Sequence, residues 1–239
     1  MKTILIVGGN GKLGSSLSKK YSRNHKVISI DSEGYNANDH TNFIEIISKK
    51  LIKNKTAKIN IVLFAHRSRS QSDDDSELKV GDFKILKNEV STTINIIDIL
   101  FKRDLMAKGG KIILFGSTND SHISQQNLYY HISKSSIKIM VKWLAERLIS
   151  REVSVNGVSM GLVTDIEDGE NHAKNSILKV AKDLNINRRP TLFEEVAELV
   201  YCITSLKSNQ MTGEMILIDG GFTLSDGYYM YTKKFYDSK

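Results

Sequence analysis

The sequence has few residues that could cross-link it or hold a metal. It contains one cysteine, Cys202, and one proline, Pro190, among 239 residues. A single cysteine excludes an internal disulfide and favours a reducing compartment. No cysteine and histidine cluster has the spacing of metal ligands, so we expect no metal site. Cys202 lies in an apolar run and is predicted to be a small core residue without a catalytic role.

Long hydrophobic runs are also absent. The apolar run Ile4–Val7 is too short for the hydrophobic region of a signal peptide, and no stretch has the length of a membrane-spanning helix. We therefore expect a soluble, cytoplasmic protein without a membrane partner. The formal net charge of +7 can indicate a nucleic-acid partner. Because the lysines are scattered among acidic residues and no nucleic-acid motif accompanies them, we expect a solvated basic surface and no nucleic-acid partner.

Short β-branched runs alternate along the chain with longer segments of helical periodicity. Near-continuous apolar strands are typical of a parallel sheet that is covered on both faces. The pattern predicts an α/β fold, a doubly wound Rossmann-type parallel sheet flanked by helices, formed by one domain over residues 1–239. The predicted strands are Thr3–Val7, Lys26–Ile30, Asn60–Ala65, Lys111–Phe115, Val153–Val158 and Glu214–Ile218. The predicted helices are Leu13–Arg23, Asn42–Lys53, Phe83–Lys102, Tyr130–Ser150 and Phe193–Leu206.

Three segments do not fit this alternation. Arg67–Asp82 is rich in serine, arginine and aspartate, and Asp165–Arg189 is polar with a helical stretch near Asn175–Leu184. We expect both to carry substrate determinants and the second to be a mobile flap that closes over the substrate. The C-terminal tail Gly227–Lys239 carries four tyrosines and a phenylalanine, and we expect these aromatic side chains to dock rather than to stay in solvent.

A glycine-rich turn follows the first predicted strand and leads directly into a helix. Glycines allow a tight turn and a close approach to a pyrophosphate, and the helix N-terminus supplies N–H groups and the positive end of its dipole. A purely structural turn would use the same glycines, but the strand before it and the helix after it favour a dinucleotide site. The predicted cofactor-binding residues of this turn are Gly8, Asn10, Gly11, Lys12, Leu13 and Gly14.

Asp31 ends the second predicted strand. Its position matches that of a carboxylate that binds the hydroxyls of the adenosine ribose. Such a carboxylate would repel a 2′-phosphate, so the sequence favours NAD(H) as the cofactor. Lys12 opposes this preference because a lysine in the turn could attract the phosphate, and NADP(H) is therefore the alternative cofactor.

A candidate catalytic group follows the strand Lys111–Phe115. Ser117 lies at the end of this strand, and Tyr130 and Lys134 follow on a predicted helix, where residues i and i+4 share a face. A lysine cation beside a tyrosine stabilises the phenolate, so the tyrosine can pass a proton to or from a substrate oxygen. Ser117 would hydrogen-bond the same oxygen. A Tyr-x-x-x-Lys pair is common by chance, and it points to an oxidoreductase only in combination with the glycine turn and the serine.

These motifs together resemble the short-chain dehydrogenase/reductase family over nearly the whole chain. The resemblance includes Asn88 and the segments Val155–Thr164 and Thr212–Gly221. It implies hydride transfer between a nicotinamide cofactor and a small carbonyl or alcohol substrate, by a homodimer or homotetramer. It also implies that Asn88 holds a water in a proton relay, that Lys134 binds the nicotinamide ribose, and that Val163 and Thr164 lie near the carboxamide. The remaining predicted cofactor-binding residues are Ala65, His66 and Gly161.

Some features of the sequence depart from the family pattern. Lys12 stands where the single-domain members usually have glycine, and Met160 stands where they usually have proline. The short stretch after Asp31 looks similar to the dihydropteridine reductases. Two alternatives therefore accompany the main hypothesis, a dihydropteridine-type reductase and a non-catalytic dinucleotide-binding regulator. The catalytic set of Asn88, Ser117, Tyr130 and Lys134 argues against the regulator, which would need none of these residues.

Three further residues are candidates for a role near this site. His66 ends a strand and is equally consistent with lining the cofactor cleft and with packing. His131 points away from Tyr130 around the helix, so we expect no direct role for it. Arg67 could meet an anionic substrate, but the sequence favours a solvated loop position for it.

Overall fold

The computed structural model describes most of the chain. The described residues are 1–31, 40–53, 58–67, 83–165 and 172–224, together with positions 78, 226 and 232. Most of the predicted substrate loop after Arg67, the flap residues 166–171 and nearly all of the aromatic tail lie outside the described residues.

A parallel sheet of six strands forms the centre of the fold. The strands of the chain are β1 (Thr3–Val7), β2 (Lys26–Ile30), β3 (Ile59–Phe64), β4 (Met106–Ser117), β5 (Ser154–Met160), β6 (Val163–Thr164), β7 (Thr191–Leu192) and β8 (Met215–Ile218). The central sheet has the order β2-β1-β3-β4-β5-β8, and β6 and β7 form a separate parallel pair. The strand order reverses between β1 and β3, which confirms the predicted doubly wound sheet.

Helices cover both faces of this sheet. They are α1 (Lys12–Tyr21), α2 (His40–Lys53), α3 (Lys84–Leu86), α4 (Thr92–Lys102), α5 (Leu128–Leu148), α6 (His172–Leu184) and α7 (Phe193–Ser205). In β1, Leu5 belongs to a buried cluster with residues of α2, α4 and α5, whereas Ile6 belongs to a second cluster with residues of α1 and α7. Successive side chains of a strand point to opposite faces. Coverage on both faces explains why every residue of β1 is buried and why the four residues after Thr3 are apolar.

Two predicted elements differ from the structure in an informative way. β4 begins at Met106 instead of Lys111, because Met106 pairs with Ile59 before a shift in the register between β3 and β4. The predicted helix Phe83–Lys102 is interrupted by a π-helical turn, Lys87–Ser91, which joins α3 to α4. The other predicted strands and helices agree with the structure to within a few residues at each end.

The prediction that Cys202 is a core residue was wrong. Its thiol is exposed on α7. The buried residues of this helix include Val196, Val200 and Ile203, and Cys202 lies on the opposite side because residues two apart do not share a helix face. The run around Cys202 is apolar in sequence, but only one stripe of it contacts the sheet.

Among the described helices, none combines the length and the apolar character that a bilayer crossing requires.

Candidate active site

The glycine turn is enclosed between two neighbouring strands. Val7 pairs with Ile30 of β2 and with Phe64 of β3, so the chain leaves β1 beside Ala65 and His66. The Gly8 N–H donates to the Ile30 carbonyl at 2.8 Å. Gly8 has a φ of +87°, and a Cβ there would lie 2.6 Å from the backbone nitrogen of His66. Only glycine fits this position, because both the conformation and the space exclude a side chain.

The start of α1 fits the pyrophosphate of a dinucleotide. A Cβ on Gly14 would lie 2.1 Å from the Gly8 carbonyl oxygen, so the helix packs directly against the turn. The helix begins at Lys12 after Gly11, with no capping side chain and no acidic residue in its first turn. The N–H groups and the positive dipole end of a helix start of this kind favour an anion. Leu13 is buried in the core beneath the turn, where it fixes the direction of the helix.

Asp31 and Lys12 are both held by charged or polar partners at this turn. The backbone N–H of Asn10 donates to Oδ1 of Asp31 at 2.8 Å, which places the carboxylate beside the turn. Nζ of Lys12 lies 2.8 and 3.0 Å from the two carboxylate oxygens of Asp165. This pair joins the turn to the segment that follows β6, and it balances the positive charge of Lys12 with a carboxylate.

The segment after β5 lies at the same edge of the sheet. Gly161 donates its N–H to the Ile218 carbonyl at 3.0 Å, and a Cβ on Gly161 would lie 2.8 Å from that of Asp219. Val163 and Thr164 form β6, and the Thr164 side chain is buried. The predicted cofactor residues of this segment therefore share one edge with the glycine turn.

Tyr130 and Lys134 lie together on the buried face of α5. Helix α5 starts at Leu128, and the Asn127 side chain caps it by accepting the Tyr130 N–H at 2.9 Å. Nζ of Lys134 lies 5.3 Å from the centroid of the Tyr130 ring. Ser117 ends β4, with its Oγ accepting the Asn119 N–H at 3.3 Å. The structure thus brings Tyr130 and Lys134 together at the edge of the sheet where β4 ends with Ser117.

Arg67 also lies near the ring of Tyr130. Its guanidinium carbon lies 5.8 Å from the centroid of the Tyr130 ring, although the residue as a whole is exposed. The sequence favoured a solvated loop position, and the structure adds this contact with the aromatic face. His131, in contrast, hydrogen-bonds the Asn119 carbonyl at 3.1 Å and so holds the short turn after β4.

Glu89 is a buried residue of this site that the sequence analysis missed. Its Oε2 lies 2.7 Å from Nζ of Lys134, and the side chains of the pair are 2% and 6% exposed. The Ser133 hydroxyl donates to the same oxygen. One signal was present in the sequence, because Glu89 falls on the stripe of Ile85, Thr92 and Ile96, which is otherwise uncharged and is buried in the structure.

Asn88 and His66 meet beside this ion pair. Asn88 is exposed, and its backbone carbonyl is hydrogen-bonded to Nε2 of His66 at 3.1 Å. Nδ1 of His66 is enclosed and has no hydrogen-bond partner among the described residues. Burial lowers the pKa of the His66 imidazole, and the Glu89 carboxylate opposes this shift. The imidazole is therefore neutral near neutral pH. The water-holding role of Asn88 remains a prediction.

The described part of the chain has no group of three or more histidine, cysteine, aspartate or glutamate residues that could hold a metal ion.

Comparisons with known proteins find relatives among the acyl-carrier-protein reductases. A family model described as enoyl-(acyl carrier protein) reductase matches residues 64–223. The chain is 28% identical over 123 residues to the enoyl-acyl-carrier-protein reductase (NADH) of Bacillus subtilis, which covers 52% of the chain and 48% of that enzyme. The match thus spans about half the length of this relative. The chain is also 24% identical to the 3-oxoacyl-acyl-carrier-protein reductase of Buchnera aphidicola, over 92% of the chain and 96% of that protein.

A solved structure extends the likeness to the fold. A short chain dehydrogenase family protein of Francisella tularensis superposes with a TM-score of 0.75 at 25% identity, covering 94% of this chain and 100% of that one. At this coverage the likeness extends over most of the residues before 64, which the family model does not match.

The glycine turn supplies a test of the tight packing around it. We expect Gly14→Ala to lower the free energy of unfolding by about 1–3 kcal/mol, since the alanine Cβ would overlap the backbone of the turn. Gly11→Ala is the matched control, because a Cβ there would lie 3.4 Å from the nearest atom, an ordinary contact. Denaturant unfolding of both variants measures the difference. Equal stability of the two variants would contradict the close approach of α1 to the turn.

Proposed function

The chain belongs to the short-chain dehydrogenase/reductase family, and on this premise we propose that it transfers a hydride between a nicotinamide dinucleotide and a small carbonyl or alcohol substrate. Tyr130 acts as the acid/base of this reaction. The proposal covers the reaction class, whereas the substrates named for the relatives belong to those proteins.

The observation that carries the proposal is the placement of Tyr130 and Lys134. Both side chains are buried on one face of α5, next to the sheet edge where Ser117 ends β4 and the glycine turn follows β1. In open α/β sheets, ligands bind outside the carboxyl ends of the strands near the reversal of strand order. On this ground we assign the acid/base pair and the dinucleotide cradle to one cleft, as hydride transfer requires.

The residues of this cleft divide the chemistry between them. When bound, the nicotinamide supplies or accepts the hydride. The Ser117 hydroxyl hydrogen-bonds the substrate oxygen. The Tyr130 hydroxyl donates a proton to that oxygen in reduction, and the Tyr130 phenolate accepts the proton from the substrate hydroxyl in oxidation. The Lys134 ammonium stabilises the phenolate form of Tyr130. Asn88 supports proton supply in this scheme.

The residues that would hold the dinucleotide follow from their positions at the edge of the sheet. The pyrophosphate would be surrounded by the residues of the glycine turn, namely Gly8, Asn10, Gly11, Lys12, Leu13 and Gly14. The adenosine ribose would contact Asp31, and the middle part of the dinucleotide would contact Ala65 and His66. The nicotinamide end would contact Tyr130, Lys134, Gly161, Val163 and Thr164.

NAD(H) is the proposed cofactor. The Asp31 carboxylate lies beside the turn, held through one oxygen by the Asn10 N–H, and a 2′-phosphate next to it would meet a like charge. The Lys12 ammonium, the cation that could offset this repulsion, is paired with Asp165. Both observations favour a cofactor with an unmodified ribose, and NADP(H) is the alternative.

A homodimer or homotetramer is the proposed assembly. Four apolar residues of α5 point outward at helical spacing, namely Leu128, Ile132, Ile139 and Trp143, with exposures between 38% and 63%. Large contiguous apolar patches are uncommon on monomers. We therefore assign this outward stripe of α5 to the contact between subunits.

The acid/base role is tested by Tyr130→Phe. The ring and its packing stay, and only the proton donor is removed, so turnover should fall by about 100- to 10,000-fold while dinucleotide binding persists. The assay is a screen of carbonyls and alcohols with NAD(H) and NADP(H), read at the nicotinamide absorbance. A Phe variant that keeps more than about a tenth of the activity would contradict the role. A wild-type protein that binds the dinucleotide and turns over no substrate would favour a regulator.

Cofactor choice is tested by Asp31→Ala. We expect kcat/KM of the wild type to be higher with NADH than with NADPH, and the variant to shift toward NADPH because the like charge is gone. Asp165→Ala measures the separate effect of Lys12, since it releases the lysine from its carboxylate and leaves Asp31 in place. A wild-type preference for NADPH, or the same ratio in wild type and Asp31→Ala, would remove Asp31 from this role.

The assembly is tested by light scattering at micromolar concentration. The wild type should have a mass two or four times the chain mass of 26.9 kDa, and Trp143→Lys should reduce it by placing a charge in the apolar contact. Lys142→Ala, a change of the exposed neighbour, should leave the mass unchanged. A wild-type mass of one chain would overturn the proposal.

A further inference from the structure

A buried carboxylate contacts the lysine of the proposed acid/base pair. We propose that Glu89 is a positioning residue that keeps Lys134 protonated and fixed beside Tyr130. The inference rests on the proposed acid/base role of Tyr130 and adds a residue that acts on it through Lys134.

Glu89 is held through its carboxylate and through its backbone carbonyl. Its Oε2 accepts hydrogen bonds from two consecutive residues of α5, from Ser133 and, at 2.7 Å, from Lys134. Its own backbone lies in the π-helical turn, where the Thr93 hydroxyl donates to the Glu89 carbonyl at 2.7 Å. π-helical turns of this kind occur frequently at functional sites. Here the turn presents a carboxylate to the face of α5 that carries Tyr130.

Three other basic residues lie around the ion pair of Glu89 and Lys134. His66, from the segment after β3, has its pKa lowered by burial, so its imidazole is neutral near neutral pH. Arg67, from the same segment, is exposed and lies over the Tyr130 ring. Farther along α5, Lys138 faces Asp120 at 3.9 Å. Among the described residues, the Glu89 carboxylate forms its ion pair with the Lys134 ammonium.

The pairing has a direct consequence for the lysine. A buried amine without a counterion loses its proton readily, because burial penalises the charged form. A hydrogen-bonded carboxylate reverses this effect and also fixes the position of Nζ. Since Nζ lies 5.3 Å from the Tyr130 ring centroid, its charge stabilises the phenolate. In this proposal Glu89 acts on the tyrosine through Lys134.

The test is an ultraviolet titration of tyrosinate in the full chain without substrate or cofactor. The contribution of Tyr130 among the nine tyrosines is isolated by subtracting the Tyr130→Phe form of each variant. Glu89→Gln keeps the shape and removes the charge, so the Tyr130 signal should appear about one pH unit higher than in the wild type. Glu89→Asp, which keeps the charge, and Ser133→Ala, which removes only a hydroxyl, should both titrate as the wild type does. An unchanged or lower midpoint in Glu89→Gln would overturn the proposal.

A second measurement requires no change at Glu89. In the wild type, nitrogen NMR of labelled lysine should show a slowly exchanging ammonium signal near neutral pH that disappears in Lys134→Met. A neutral amine at this position would overturn the proposal even if Glu89→Gln does not fold. Neither experiment uses turnover. A failure of the carbonyl screen would therefore count against the proposed reaction alone, and a failure of the titration against Glu89 alone.

Discussion

The parallel register of β1, β3 and β4 is the constraint on which the geometry of the site depends. Val7 pairs with Phe64, and Phe64 pairs with Leu114, so three strands that are far apart in the chain end at one edge of the sheet. This alignment places three features side by side, because each lies at or directly after the end of one of these strands: the glycine turn, the His66 backbone and Ser117. The alignment also brings the end of β1 so close to the His66 backbone that Gly8 tolerates no Cβ, and α1 then packs so tightly on the turn that Gly14 tolerates none either.

Inside this frame, the Glu89–Lys134 pair is difficult to explain as a stabilising element. Taking two charges out of water costs about as much as their attraction returns, and well-packed apolar residues often serve equally well in such positions. Removing one partner alone, however, typically costs about 3–5 kcal/mol because a buried charge is left without its counterion. The two residues therefore depend on each other, while the fold does not require a charge there. The position of Nζ beside the Tyr130 ring is consistent with a role of the pair in the chemistry of Tyr130 instead of in stability.

The sequence predicted those parts of the molecule that depend on local pattern. The apolar runs of β1 and β2 and the spacing of Tyr130 and Lys134 are local features, and the strands, the turn and the shared face of α5 were placed well. Glu89 was missed because its partner is 45 residues away, and a carboxylate in a helical segment resembles any solvated one. Cys202 was misplaced for the converse reason, since an apolar neighbourhood in sequence does not show which side of α7 faces the sheet. Contacts between distant elements, such as Lys12 with Asp165, require the fold itself.

The choice of cofactor also depends on contacts between elements that are distant in the sequence. From the sequence, Lys12 and Asp31 are opposing charges near one ribose, and the carboxylate is expected to dominate. The structure adds the partners of each charge. Lys12 is half-exposed and paired with Asp165, and an exposed ion pair of this kind contributes about 0–1 kcal/mol. Asp31 is oriented by a backbone N–H, and a phosphate in close contact with a carboxylate costs several kcal/mol. These contacts are the grounds on which NAD(H) is proposed as the cofactor, and they also show that Lys12 links the glycine turn to the segment after β6 through Asp165.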